Sequence, residues 1–138
     1  MNSYEETNVL GGVLKPCCHA PKTGFYRNGF CQSGRDDVGE HTICIIASKE
    51  FLEFSKATGN DLSTPMPQYG FYGVKEGQAW CLCATRWVEA YRAGFAPKVV
   101  LEATHVKMLR HVSLDILKEY GVEKHETSKG LLYLLTSM

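Results

Sequence analysis

The chain has 138 residues, 44% hydrophobic and 22% charged, with fifteen acids against fifteen Lys and Arg. Length and balance fit one globular domain with its own core. A formal net charge of zero argues against binding to nucleic acid or an anionic membrane, which needs surplus Lys and Arg. No apolar run approaches the roughly 20 residues of a membrane helix.

Taken in chain order, residues 1–7 read as a loose N-terminus. Residues 8–14 could form a short strand interrupted by Gly11 and Gly12. Residues 16–34 are dense in Gly, Pro, Asn and Cys and read as an irregular loop or hairpin. Residues 42–47, β-branched and apolar, predict a buried strand. Ser48 then caps a helix over 49–58, with Phe51, Leu52 and Ser55 on one face and Gly59 as its stop. Residues 60–77 carry several turn signals and are long enough to act as a lid. A second buried strand follows at 80–84. Thr85 is placed as the cap of a helix over 86–93, closed by Gly94. Residues 98–103 give a third strand, 105–111 a helix, and Ser113 caps a last helix at 114–120. The apolar run 131–135 suggests an added edge strand. Strands alternating with helices after an irregular first third predict an α+β fold: a small mixed sheet with flanking helices and a Gly/Cys-rich N-terminal third. The domain is expected over 8–122, with 123–138 as a C-terminal extension. The predicted core is Ile43, Ile45, Leu82, Val99 and Leu101, with Phe51, Trp87 and Tyr91 from the helices.

Six cysteines are the chemically informative feature. The first twelve residues lack the basic and apolar runs of a secretory signal, so a cytoplasmic protein with reduced thiols is expected. Cys17, Cys31, His41 and Cys44 are ligand types that zinc accepts. Only the His41–Cys44 gap is knuckle-like, however, and no bound metal is expected. Cys81 and Cys83 lie two apart on a predicted strand and so share a face, about 7 Å apart. They pack in the core, or one of them is a nucleophile with His41 or His105 as its base. An acid four residues before His41, Asp37, can orient that ring as a base requires, or can equally make a plain loop hydrogen bond, the commoner arrangement.

The motifs NVLGG (8–12), TGFYRNGFC (23–31), DVGEHTIC (37–44), FLEFSKATGNDLSTP (51–65), WCLCATRWVEA (80–90) and APKVVLEATH (96–105) occur in this order. Over roughly 8–122 the chain resembles the family called Domain of Unknown Function 2237. The resemblance implies a single-domain α+β protein and brings no established activity. One departure is clear: where the family tends to read Phe-Pro-Gly-Leu-Lys-Pro-Gly-Asp, this chain has Phe71-Tyr72-Gly73-Val74-Lys75-Glu76-Gly77-Gln78. Cys18 and the residues beyond Val122 also look particular to this chain.

Function is therefore read from the residues. If the second and third strands are parallel, Thr85-Arg86 and Thr104-His105 emerge at one edge, where helix N-termini and sheet strand ends favour anions. The leading expectation is a small-molecule site, anionic in preference, formed by Arg27, His41, Thr85, Arg86 and His105 under the 60–77 lid. The bland alternative is that the threonines cap helices, Arg86 pairs with a surface acid and His105 is a satisfied boundary residue. Two functional readings from other classes stand beside it. One is an interaction module stabilised by zinc at Cys17, Cys31, His41 and Cys44. The other is a thiol enzyme using Cys81 or Cys83. Signatures for NAD, ATP, haem or a metalloprotease are absent, so no cofactor is expected.

Overall fold

The computed structural model describes residues 6–18, 23–24, 26–32, 34 and 36–122. The expected strand at 131–135 lies outside them. Four strands form one mixed sheet in the order β2-β1-β3-β4. They are β1 (Ile43–Ile46), β2 (Ala79–Leu82), β3 (Lys98–Val100) and β4 (Gly121–Val122). β1 runs antiparallel to both β2 and β3, while β4 joins β3 in parallel. β2 and β3 thus point the same way without touching, and their carboxyl ends flank the start of β1. There Ala84 N–H donates to the Glu40 carbonyl (3.0 Å) and His105 N–H to the Thr42 carbonyl (2.8 Å).

The alternation of side chains along a strand divides this sheet into two unlike faces. Ile43, Ile45, Trp80, Leu82 and Val99 face the larger core with Phe51, Leu52, Trp87, Ala90, Met108 and Leu117. These come from helices α1 (Lys49–Ala57), α2 (Ala84–Ala93) and α3 (Leu114–Glu119) and from a 3-10 turn, Val106–Arg110. Of the predicted core only Tyr91 is partly exposed; it stacks on Trp87 with ring centroids 5.5 Å apart. On the other face Cys44, Ala79, Cys81 and Val100 pack against Cys17 and Cys31 from the N-terminal loop. The architecture is the expected one, a mixed sheet with flanking helices and a cysteine-rich N-terminal region. No helix among the described residues is long and apolar enough to cross a membrane.

Four expectations are corrected. Cys17 is bonded to Cys44 and Cys31 to Cys81, leaving Cys18 and Cys83 as the free thiols, so the chain is not fully reduced. Cys44 and Cys81 are register partners on the same face, and the N-terminal loop lies over that face, which brings a bridging partner to each. α2 begins at Ala84 with Cys83, not Thr85, at the cap position, because β2 stops at Leu82. β3 ends at Val100 and becomes a 3-10 turn, Leu101–Ala103, in which Thr104 Oγ1 donates to the Val100 carbonyl (2.9 Å). The predicted helix at 105–111 is the 3-10 turn Val106–Arg110, capped by the His105 ring accepting from Lys107 N–H (3.1 Å). At the N-terminal end, Thr7 bridges Val13, and Glu6 bonds His105 Nε2 at 3.0 Å.

Candidate active site

β2 stops where its next residue can no longer pair, and Cys83 takes the cap position of α2 at φ −59°, ψ 134°. Its thiol is half-buried at the positive end of a ten-residue helix, where negative charge is favoured. Facing it is the turn that leads into β1. Asp37 N–H donates to the Gly34 carbonyl (3.1 Å) and Glu40 N–H to the Asp37 carbonyl (3.1 Å). Glu40 adopts a left-handed φ of 51°. Its carbonyl accepts from Ala84 N–H (3.0 Å) and Thr42 N–H (2.7 Å), which locks the turn to α2. Its carboxylate reaches His111 Nε2 at 3.0 Å. At the centre of the turn is Gly39, where a Cβ would lie 3.0 Å from Cys83 Sγ and 3.4 Å from His41 Cε1.

This turn places three side chains in line. His41 Nε2 is 3.1 Å from Cys83 Sγ, and His41 Nδ1 is 2.7 Å from Asp37 Oδ1. The second Asp37 oxygen accepts His41 N–H at 2.8 Å. Asp37 is 2% exposed, so its orientation is set by the protein and not by solvent. The hydrogen bond to Cys83, then the bond and charge of Asp37, outweigh the burial of the ring and push the His41 pKa up from 6.5 to about 9. Both ring nitrogens then carry protons near neutrality, Nδ1 donating to Asp37 and Nε2 to the sulfur.

His41 and Cys83 open into a cavity of about 240 Å³ lined also by Arg27, Asn60, Leu62, Phe71, Trp80 and Leu82. A neighbouring cavity of about 380 Å³ shares Arg27, Phe71 and Trp80 and extends to Tyr69 and Tyr72. The 60–77 segment thus supplies one wall of both. Leu62 is anchored in the core, and Val74 N–H bonds the Leu62 carbonyl at 2.7 Å. Asp61 turns the chain by accepting from Ser63 and Thr64 N–H (3.0 and 3.1 Å). The Asn60 backbone is bonded to Ser55, whereas its carboxamide makes no hydrogen bond to a described residue.

Behind the sheet, the sulfurs of Cys17, Cys31 and Cys81 lie within 4.8 Å of one another, all three residues buried. Cys44 is bonded to the first of them. Cysteine thiolate is a ligand for zinc and other soft metals, so these three residues are capable of coordinating a metal once their disulfides are reduced. Thr23 Oγ1 accepts from Cys81 N–H (2.6 Å) and Thr104 Oγ1 from Cys44 N–H (3.1 Å), which fixes the backbone around them.

The matched region includes both groups of residues. Residues 7–121 match the family model described as "Uncharacterized protein conserved in bacteria (DUF2237)". The chain belongs to the DUF2237 family. A search of curated proteins found no match. In this DUF2237 chain the expected site residues separate. Arg27 and His41 line the cavity beside Cys83. Thr85 is exposed. Arg86 lies along α2, its Nη1 donating to Glu89 (3.2 Å) and to the Thr58 carbonyl (3.2 Å). His105 is 3% exposed and bonded to Glu6; burial, as the largest influence, lowers its pKa. None of these three lines the cavity. Cys81 is excluded as a free nucleophile because it is bonded to Cys31. The zinc set read from sequence is also revised: His41 belongs to Cys83, and the clustered sulfurs are those of Cys17, Cys31 and Cys81, without Cys44. Asn60, Phe71 and Trp80 were not singled out as site residues. Turn chemistry accounted for the first, and aromatic residues next to a buried strand read as core.

Proposed function

We propose that this protein is a thiol enzyme in which Cys83 is the nucleophile, His41 its acid–base partner and Asp37 the group that orients the ring. The observation that carries this reading is the line Cys83 Sγ–His41–Asp37, with contacts of 3.1 and 2.7 Å. It has the geometry of a nucleophile, a base within hydrogen-bond reach and a third group fixing the base. The reaction class it fits is acyl transfer. The sulfur forms a C–S bond to a carbonyl carbon while the π pair moves to oxygen. Collapse of the adduct breaks the bond to the leaving group, which takes the proton from His41 Nε2. Water then attacks the thioester and returns one proton to Nε2. The C–S bond breaks, restoring the sulfur beside the protonated ring. Asn60, in the same cavity and with no hydrogen bond from its carboxamide to a described residue, would supply a donor for the carbonyl oxygen.

The test is trapping of the acyl-enzyme with p-nitrophenyl acetate. Mass spectrometry should find one acetyl group on Cys83, formed with a burst of nitrophenolate. His41→Ala should slow the burst by roughly 10²–10⁴-fold, the range of general acid–base catalysis, and Cys83→Ala should abolish it. Acetylation of Cys83 no faster than in the unfolded chain would refute the assignment.

A second reading is favoured by the clustered sulfurs. In the reduced chain, Cys17, Cys31 and Cys81 would offer three clustered thiolates to one zinc, with Cys44, released from Cys17, as the candidate fourth ligand. A metal-stabilised interaction module then rests on these residues and does not need His41.

A further inference from the structure

Arg27 lines the cavity that holds the reactive thiol. Its backbone is left-handed at φ 55°. The Gly24 carbonyl accepts both its N–H (3.0 Å) and its Nη1 (2.8 Å). This folds the side chain back so that the guanidinium lies 5.3 Å from the centroid of the Trp80 ring. No carboxylate of the described residues pairs with it, and none lines either cavity it borders. Of the residues around the smaller cavity, Leu62, Phe71, Trp80 and Leu82 are apolar, and Asn60 is the one neutral polar side chain. A guanidinium held on an aromatic face keeps its remaining N–H groups pre-aligned, and its fork matches a carboxylate.

We propose that the substrate is a small carboxylate-bearing acyl compound, its carboxylate held by Arg27 and its reacting carbonyl placed at Cys83. This rests on the thiol-enzyme reading and adds the substrate class. A guanidinium with no carboxylate partner among the described residues, beside an apolar wall, favours a singly charged group, and a cavity of about 240 Å³ limits the substrate to metabolite size.

Iodoacetate and iodoacetamide form a controlled pair for the test, since they differ in carrying a carboxylate or a carboxamide. With either, Sγ bonds to the methylene carbon as the C–I bond breaks and iodide leaves. Rates at Cys83 are read by peptide mass spectrometry, and their ratio is normalised to the same ratio in the unfolded chain. The native protein should favour iodoacetate by roughly tenfold or more, the factor that one charge-assisted hydrogen bond carries. Arg27→Gln should lose that preference in the ratio of the two rates, which cancels any change in the reactivity of the thiol itself; Arg27→Lys should keep part of it. Acetate should protect Cys83 better than phosphate at equal concentration. Where Arg27→Gln does not fold, a ratio in Arg27→Lys that falls below the native one stands as the test, and an unchanged ratio overturns the assignment of Arg27. Fast reaction with both reagents at an unselective ratio would overturn the substrate class and leave the thiol enzyme standing. Better protection by phosphate would do the same. Reaction of Cys83 with both reagents only at the unfolded rate would overturn both.

Discussion

His41 and His105 begin as the same side chain, and their surroundings drive them in opposite directions. His41 gains two partners, Cys83 and Asp37, and is raised to about 9. His105 is lowered, first by burial, with the charge and hydrogen bond of Glu6 opposing. The signs of linkage follow. Because the folded protein holds the His41 proton more tightly than the unfolded chain, that stabilisation is complete below the unfolded value of 6.5 and is lost as pH rises through about 9. For His105 stability is lost in the other direction, as pH falls below 6.5. Between pH 6.5 and 9 the native protein should lose on the order of 1–3 kcal/mol that His41→Gln does not lose, after allowance for partial solvent screening. Cys83→Ala should flatten the same slope, since Cys83 is the largest cause of the shift. Thermal melts across that window measure it, and parallel curves for all three proteins would contradict the His41–Cys83 contact. Asn60 and Asp61 make a similar contrast. Asp61 spends its oxygens on Ser63 and Thr64, while Asn60 lines the cavity and its carboxamide bonds to no described residue.

The turn from Asp37 to His41 positions the site more than any helix does. It can approach α2 only because residue 39 has no side chain, as the 3.0 Å from its absent Cβ to Cys83 Sγ indicates. Gly39→Ala should push the thiol from the ring. A misplacement of about 1 Å at a reacting group costs on the order of 10²-fold in rate, and overpacking costs about 1–3 kcal/mol. The expected result is therefore a large fall in acetylation of Cys83 with the fold retained. A variant with native acetylation kinetics would show that the turn yields freely. α2 contributes differently. Trp87 is buried and its Nε1 donates to the Pro97 carbonyl at 3.2 Å. Tyr120 meets both Trp87 and Tyr91 edge-on at 5.4 and 5.8 Å. This aromatic cluster fixes the helix whose first turn carries the nucleophile.

Taken as one body, the sheet divides the molecule into a helical core on one face and a disulfide-linked loop on the other. The bridges close long stretches of chain, with sequence separations of 50 for Cys31–Cys81 and 27 for Cys17–Cys44. Loop-closure entropy assigns roughly 4 kcal/mol to the longer and a little less to the shorter. Reduction should accordingly lower the melting temperature substantially. The longer bridge ties the segment bearing Arg27 to β2, which ends beside Cys83, so reduction should also weaken the iodoacetate preference. Adding zinc to the reduced chain separates the two readings of the sulfur cluster. One retained zinc per chain with recovery of the melting temperature would support the metal reading. Unchanged melting with no metal retained after desalting would leave the disulfides as the stabilising form. An unaltered melting temperature after verified reduction would show that the bridges contribute little.

Local pattern alone determined the three main strands, the first two helices and nearly all of the core. Buried β-branched runs, the Ser48 cap and the Gly59 and Gly94 stops are signals carried within a few residues. The i,i+4 relation of Asp37 to His41 was legible for the same reason, whereas the expectation that Cys81 and Cys83 share a face is overturned: β2 ends at Leu82, so Cys83 caps α2 beside the cavity while Cys81 lies behind the sheet, bonded to Cys31. Proximity across the chain was not legible. Cys83 and His41 are 42 positions apart, and their contact depends on where β2 pairs with β1 and on a glycine that lets the turn close. The disulfides depend equally on the loop lying across the back of the sheet. Arg86 and His105 did emerge at the same edge, but each was taken up by a nearer acid, Glu89 and Glu6. Side-chain periodicity sets which face a residue occupies; which residue it meets is set by register and loop path, and only the folded chain decides those.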